Sequence, residues 1–416
     1  MMSEAQFMRL ALRLARRGYG TTSPNPMVGA VLVKNGKIIG RGWHRCAGGP
    51  HAEIEALRDA QKRGHSARGA TLYVTLEPCC THGRTPPCTE AIIAAGIKRV
   101  VVGTTDPNPR HAGRAFKILR RAGIEVTSPG SAGVPPASPS IRNPATRRRD
   151  AGAPRANALA GECVRLNEAF NHWIVHRTPF VTVRAAMTLD GKIATASGES
   201  KWITGEKARA YGMKLRQGSD AILVGINTIL ADNPSLTARV GAPNSDSAHA
   251  DLEIGAPRLR RIVLDSMART PLTAKVVSDE FAALTTIVVS KRAPRNRVAA
   301  LSKRVNVIVA TAAKPLSPAP RHLSRIDLRW LMRKLGAENV TSLLVEGGGE
   351  VNASFLLGGF AQRVTFFYAP KILGGRDSRK AVAGEGARSL AEVIQLRDVE
   401  WKRLGSDLLL TARVIP

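Results

Sequence analysis

The sequence is short of four things. Aromatic residues make up 4% of its 416 positions, so a core must be built mostly from aliphatic side chains. No apolar run reaches the roughly 18 residues that a membrane-crossing helix needs, which excludes a helical membrane protein. The N-terminal stretch MMSEAQFMRLALRLARRG is interrupted by Arg9 and Arg13, and no small-residue cleavage site follows. It makes a poor signal peptide, and a cytoplasmic protein is expected. Cysteines number five: Cys46, Cys79, Cys80, Cys88 and Cys163. An odd count with three cysteines inside ten residues reads as a metal or redox site, not as a disulfide framework. Acidic residues are the fourth shortage, at 32 Asp and Glu against 62 Lys and Arg, a net charge of +30.

What is present is otherwise ordinary for a folded protein. Hydrophobic residues are 44% and charged residues 23%, which excludes bulk disorder. The length predicts two or three domains. The positive charge is spread, with +12 in residues 1–130, +4 in 131–160 and +14 in 161–416. A spread surplus points to a generally basic surface, and to nucleic-acid binding only as a non-specific, salt-sensitive effect.

Periodicity organises the chain into two α/β regions. Residues 4–17 suit an amphipathic helix. Two apolar runs flank Asn35-Gly36, the strongest short hairpin signal. Helices are expected at 52–63, 88–95 and 111–122, and strands at 70–76, 99–102 and 124–127. This order predicts a three-layer α/β domain over 1–129. Residues 130–159 are rich in Pro, Ala, Gly, Ser and Arg and read as a solvated linker insertion. Residues 160–416 form the second domain. It opens with a short helix around Val164–Val175, and its strands are expected at 180–186, 220–224, 260–265, 284–290, 305–310, 342–346, 362–368 and 407–414. Its helices are expected at 205–217, 225–231, 324–336 and 350–357, and residues 241–257 read as a polar surface loop.

The first chemical constellation is His51-Ala52-Glu53 at the start of a predicted helix, with Pro78-Cys79 after a strand and Pro87-Cys88 opening the next helix. One His and two Cys make a three-ligand set that leaves the fourth zinc position for water. Zinc brings the pKa of bound water to about 7. Helix N-termini favour the thiolates that such a site requires. Glu53 sits close enough to move protons without being a ligand. His82 is either a neighbour of the site or a solvated loop residue, and the Pro-Cys context favours Cys79 over Cys80 as ligand.

These residues fit the H-x-E…P-C-x-x-C pattern of zinc deaminases, with eight residues between the cysteines instead of two. TSPNPMVGAVLV, HAEIEAL, VTLEPCCTHGRTPPCTEAI and DPNPRHAGRA resemble the deaminase domain of the bifunctional riboflavin-biosynthesis deaminase–reductases. The resemblance implies a cytidine-deaminase-like fold, one Zn2+ and loss of an amino group from a diaminopyrimidine ribosyl phosphate. It places Asn25 in the pyrimidine pocket.

SLLVEGGGE is a strand running into glycines before a helix, which lets backbone amides approach a phosphate. RAAMTLDGKIATASGESKWITG, LRQGSDAILVGINTILADNPSLTAR and IVLDS resemble the reductase domain of the same family. The resemblance implies a dihydrofolate-reductase-like α/β fold and NADPH as hydride donor. It places Ser200, Arg216, Leu236, Arg239 and Glu346 on the substrate. Ala186, Trp202, Thr228, Asp232 and Ser266 would line the NADPH site. Gly348, Gly349, Glu350, Val351, Asn352, Ala353 and Ser354 would hold its phosphates. Arginine suits a phosphate because guanidinium binds it bidentately. No side chain stands out as the proton donor of the reduction. The resemblance also implies a homo-oligomer built through the reductase domains.

Two other readings compete. A nucleic-acid-acting deaminase fits the charge and the HAE triplet, but the sequence shows no legible basic–aromatic surface. A basic RNA- or membrane-binding module with a vestigial zinc site is opposed by the intact Glu53.

Overall fold

The computed structural model describes residues 2–82, 86–127, 155–238, 259–311 and 326–415. Arg239, most of the 130–159 insertion and the 241–257 loop lie outside the described residues. The chain forms two compact units that part between His176 and Arg177. No described helix is long and apolar enough to cross a membrane.

The first unit begins with α1 (Glu4–Ala15), whose buried stripe of Phe7, Met8, Ala11, Leu12, Leu14 and Ala15 follows the helical period. The Gln6 side chain accepts a hydrogen bond from the Ser3 N–H at 2.7 Å and fixes the helix start. Strands β1 (Gly29–Lys34) and β2 (Lys37–Trp43) form the expected hairpin. Asn35 and Gly36 both have positive φ, as a two-residue turn of the right twist demands. Helix α2 (Ala52–Lys62), β3 (Thr71–Val74), α3 (Cys88–Ala94), β4 (Arg99–Val102), α4 (Arg114–Arg121) and β5 (Glu125–Thr127) complete the expected alternation. The sheet order is β2-β1-β3-β4-β5, with β1 antiparallel to both neighbours and β3, β4 and β5 parallel. Helix α2 lies unusually close to β2. A Cβ on Gly42 would stand 2.2 Å from the Ala52 carbonyl oxygen, so only glycine admits the helix that carries the first site.

The expected boundary between domains shifts. Residues from 155 onward are helical, in α5 (Arg155–Leu166) and α6 (Glu168–His176). The linker reading of 155–159 is therefore replaced by helix, and the second unit starts at 177, not 160. Packing gives the reason. Leu159 and Cys163 are buried in one cluster with Phe7, Leu12, Val31 and Tyr73. Asn167, between the two helices, accepts from the Met27 N–H at 2.8 Å and donates to the Met27 carbonyl at 2.9 Å.

The second unit is built on a nine-stranded sheet. Its strands are β6 (Phe180–Thr188), β8 (Ala221–Gly225), β9 (Arg260–Leu264), β10 (Thr285–Val289), β11 (Asn306–Val309), β12 (Ser342–Val345), β13 (Arg363–Ala369), β15 (Leu396–Leu404) and β16 (Asp407–Val414). The order is β11-β10-β9-β8-β12-β6-β13-β16-β15, parallel from β11 to β13 and antiparallel beyond. A two-stranded ribbon pairs β7 (Lys192–Ala194) with β14 (Arg379–Lys380). The helices are α7 (Glu206–Gln217), α8 (Ile226–Asp232), α9 (Lys275–Ser278), α10 (Arg295–Ser302), α11 (Leu328–Ala337) and α12 (Gly349–Leu357). Continuous burial of β8 and β10 is what a parallel sheet covered on both faces requires. The crevice beyond the carboxyl ends of such strands is where ligands bind in folds of this kind.

Candidate active sites

In the first unit, His51 stands at the cap of α2 and Glu53 in its first turn. Cys88 opens α3 directly after Pro87, and Cys79 follows the strand that precedes it. Among the described residues, His51, Cys79 and Cys88 form the single group able to hold a metal, with their ligand atoms within 4.8 Å of one another. The His51 Nδ1 lies 3.3 Å from Cys88 Sγ and 3.4 Å from Cys79 Sγ, and the Cys88 N–H donates to Cys79 Sγ at 3.3 Å. Hydrogen bonds from Cys88 and from His51 hold the Cys79 thiol down, to about 4. The same hydrogen bond with Cys79, then burial, pushes Cys88 up. A nitrogen and two sulfurs, one of them a thiol drawn toward its thiolate, are a donor set that fits zinc with one position open. The eight-residue spacing does not prevent that convergence.

Glu53 is 3% exposed. Burial, then the nearby Cys79 charge, pushes its carboxyl up to about 7. His82 faces solvent, with its side chain 73% exposed. Asn25 and a residue the sequence reading missed, His44, form the next layer. The buried His44 ring stands edge-on to His51 at 5.3 Å. Its Nδ1 meets the Pro50 carbonyl at 3.0 Å and its Nε2 meets the Asn25 amide at 3.2 Å. A carbonyl only accepts, so Nδ1 carries the proton and Nε2 accepts from Asn25. Burial lowers the His44 pKa, in keeping with a neutral ring. Glu77, two residues before Cys79, ties down the segment that leads into α4 by accepting from the N–H groups of Asp106, Gly113 and Ala115 at 2.9–3.1 Å.

In the second unit, a cleft of about 1030 Å³ opens beyond the ends of β8 and β12. Ala186, Ser200, Trp202, Arg216, Thr228, Asp232, Leu236, Glu346 and Gly348 all line it. Ser266 and 349–354 are not among the residues of its wall. Within that stretch Asn352 and Ala353 are buried, the Ser354 hydroxyl donates back to the Glu350 carbonyl and the Asn352 N–H donates to the Gly348 carbonyl at 3.0 Å, so what it can offer a phosphate is the N–H groups of the first turn of α12. Leu236 has a positive φ and a buried side chain, so it too offers backbone alone.

Glu346 accepts from Arg216 Nε and Nη2 at 2.9 and 2.7 Å and from Arg184 Nη1 at 2.8 Å. The remaining terminal nitrogen of Arg216 donates to the Thr237 carbonyl at 3.2 Å. The flat edge of Arg216 that would grip a phosphate bidentately is thus taken up by Glu346. Despite burial, the charges of Arg184 and Arg216 hold the Glu346 carboxyl down at about 2. Sequence reasoning did not single out Arg184, which sits inside the strand-forming run of β6. The Ser200 hydroxyl donates to Asp232 at 3.0 Å, and the Arg209 guanidinium lies 4.6 Å from the centre of the exposed Trp202 ring.

Comparison with known proteins agrees with this division. Residues 1–104 match the family model described as the cytidine and deoxycytidylate deaminase zinc-binding region. Residues 179–410 match the RibD C-terminal domain. The chain is 40% identical to the riboflavin biosynthesis protein RibD of Aquifex aeolicus, over 98% of this chain and 97% of that one. The solved structure of Acinetobacter baumannii RibD superposes with a TM-score of 0.77 at 32% identity, covering 99% of both chains. A Thermotoga maritima structure, described as a diaminohydroxyphosphoribosylaminopyrimidine deaminase and 5-amino-6-(5-phosphoribosylamino)uracil reductase, gives 0.74 at 35% identity, covering 99% of this chain and 98% of that one. A buried carboxylate beside a His/Cys/Cys centre, a separate cleft walled by arginines and likeness along the whole chain lead to one assignment: this chain belongs to the RibD family of bifunctional deaminase–reductases of riboflavin biosynthesis.

Proposed function

We propose that the chain deaminates 2,5-diamino-6-ribosylamino-4-pyrimidinone 5'-phosphate in its first unit. It then reduces the ribosyl group in its second, giving 5-amino-6-ribitylaminouracil 5'-phosphate. The observation that carries the first step is the meeting of His51, Cys79 and Cys88 beside the buried Glu53. Zinc held by those three residues supplies the acidification that makes water a nucleophile near neutral pH. Glu53 moves the protons. It takes one proton from the attacking water for the adjoining ring nitrogen and passes the remaining hydroxyl proton to the departing amino group, so that water and the amine become a carbonyl and ammonia. A carboxyl buried beside the ligand group and raised by that burial suits both halves of that transfer. The Asn25 amide, oriented by His44, faces the pyrimidine.

In the second unit NADPH supplies the hydride. Ala186, Trp202, Thr228, Asp232, Ser266 and the backbone of 348–354 hold the cofactor. Ser200, Arg216, the Leu236 backbone, Arg239 and Glu346 line the place of the ribosyl phosphate substrate, with Glu346 keeping Arg184 and Arg216 in place and Arg216 acting there through its charge, not through a bidentate grip. The same reading carries a cytoplasmic homo-oligomer assembled through its reductase units, which light scattering on the separated second unit checks.

Purified protein given the diaminopyrimidine substrate should release ammonia and then oxidise NADPH. Glu53→Gln should lower ammonia release by about 10²–10⁴-fold and leave NADPH oxidation intact when the deaminated intermediate is supplied. NADPH consumption without prior deamination would reverse the order of steps.

A further inference from the structure

A second concave surface lies in the first unit, apart from its metal-ligand group. It is a groove of about 360 Å³ on the open edge of the sheet, where β2 has no neighbouring strand. Three elements build it, each through its own period. Along β2 and the two residues that follow it the side chains alternate, so Arg41, Trp43 and Arg45 line the groove while His44 turns to His51. Along α2, Glu55, Asp59, Lys62 and Arg63 recur at i, i+4, i+7 and i+8, one helical stripe. The turn after α1 adds Arg17. With Arg58 the groove holds six cationic side chains against two carboxylates, a net +4.

The carboxylates are already engaged. Glu55 pairs with Arg45 and Arg58 at 3.2 and 3.3 Å, and Asp59 pairs with Arg63 at 3.0 Å. Asp59 also accepts from the Arg41 N–H at 2.8 Å, which satisfies a donor that the sheet edge leaves open. Arg17, Arg41 and Lys62 have no ion-pair partner among the described residues. The indole of Trp43 is packed by two guanidinium groups, Arg17 at 4.2 Å and Arg45 at 4.5 Å from the ring centre. That contact draws like charges together around one concavity, at a repulsive cost that a bound anion removes.

We propose that this groove is a binding site for a multiply charged phosphate anion, an oligophosphate chain either free or carried by a nucleotide. Its volume suits a small ligand. Its three uncompensated cations match a chain bearing several negative charges better than a single carboxylate or chloride.

The test uses the full-length zinc-loaded enzyme saturated with NADPH and inorganic tripolyphosphate as probe, followed by calorimetry. Wild type should show a saturable site that weakens as salt rises. The exposed triple variant R17Q/R41Q/K62Q should bind about tenfold or more weakly while its ammonia release is unchanged. Chelation of zinc and any binding in the reductase cleft are common to both proteins and cancel in the comparison. A parallel arm with a nucleoside triphosphate separates a free from a nucleotide-borne chain, according to which binds tighter. In a second measurement, tripolyphosphate should slow acetylation of Lys62 as read by mass spectrometry. Equal binding by wild type and variant, unprotected Lys62, or tight binding of a single-stranded oligonucleotide without tripolyphosphate binding would each overturn the proposal.

Discussion

One carboxylate, Glu346, holds two guanidinium groups at the wall of the reductase cleft. Its pKa is held at about 2, against an ordinary 4.5. A carboxyl depressed in the folded state contributes stability that is fully present above its unfolded pKa and lost as pH falls through the folded one. The shift corresponds to about 3 kcal/mol at neutral pH. The stability gap between wild type and Glu346→Gln should therefore narrow as pH falls from 4.5 toward 2, as followed by thermal unfolding. A gap that does not change with pH in that window would remove the ion pair from the account. At this scale the sequence was legible where chemistry is local. His51, Glu53, Cys79 and Cys88 lie at helix starts and strand ends that punctuation by Pro marks. His44 and Arg184 were not legible. One acts through a contact to Asn25, distant in sequence, and the other is a single charge inside an alternating strand.

At the scale of elements, the loop after α8 shows how a distant pair shapes a site. Arg261 is 1% exposed on β9, and every donor group of its guanidinium is engaged. Two bonds run to Asp279, at 2.7 and 2.8 Å, and one to the Ser235 carbonyl at 2.9 Å. Ser235, Leu236 and Thr237 are cleft wall, so Arg261 pins the segment on which substrate would rest. Arg261→Lys keeps the charge but not the fork. It should cost about 1–3 kcal/mol of stability. It should also raise the reductase KM more than it lowers kcat, with ammonia release untouched. A change in kcat alone would place Arg261 outside substrate positioning. Most elements followed the sequence periods closely. The short elements β7, β14 and α9 and the helix α10 were not expected, and neither was β15, which was missed because an edge strand exposed along nearly its whole length carries charges such as Arg397, Asp398, Glu400, Lys402 and Arg403 instead of an alternating pattern. Helix α5 was hidden by the Pro- and Arg-rich composition that leads into it.

For the whole molecule, the two units have separate hydrophobic clusters, so their activities should separate. Chelation of zinc should stop ammonia release while NADPH oxidation of the supplied intermediate continues, as read in one cuvette by the two signals. Deleting residues 131–153, which ends short of α5, should leave both reactions running. Loss of both would assign the insertion a role that its composition does not suggest. The net +30 is spread, yet the fold gathers part of it around Trp43, a basic–aromatic surface that no linear reading shows.

The sheet order also sets a timetable for synthesis. Strand β12 lies between β8 and β6, and its Ser342 pairs with Phe180, roughly 160 residues earlier. At ribosomal speeds of about 5–20 residues per second, the facing edges of β6 and β8 wait on the order of ten seconds for the strand that fills the gap. In that interval the nascent chain displays two apolar, unpaired edges. The reductase unit should therefore be the more aggregation-prone of the two during synthesis, and a chain truncated before Ser342 should be less soluble than the full-length protein.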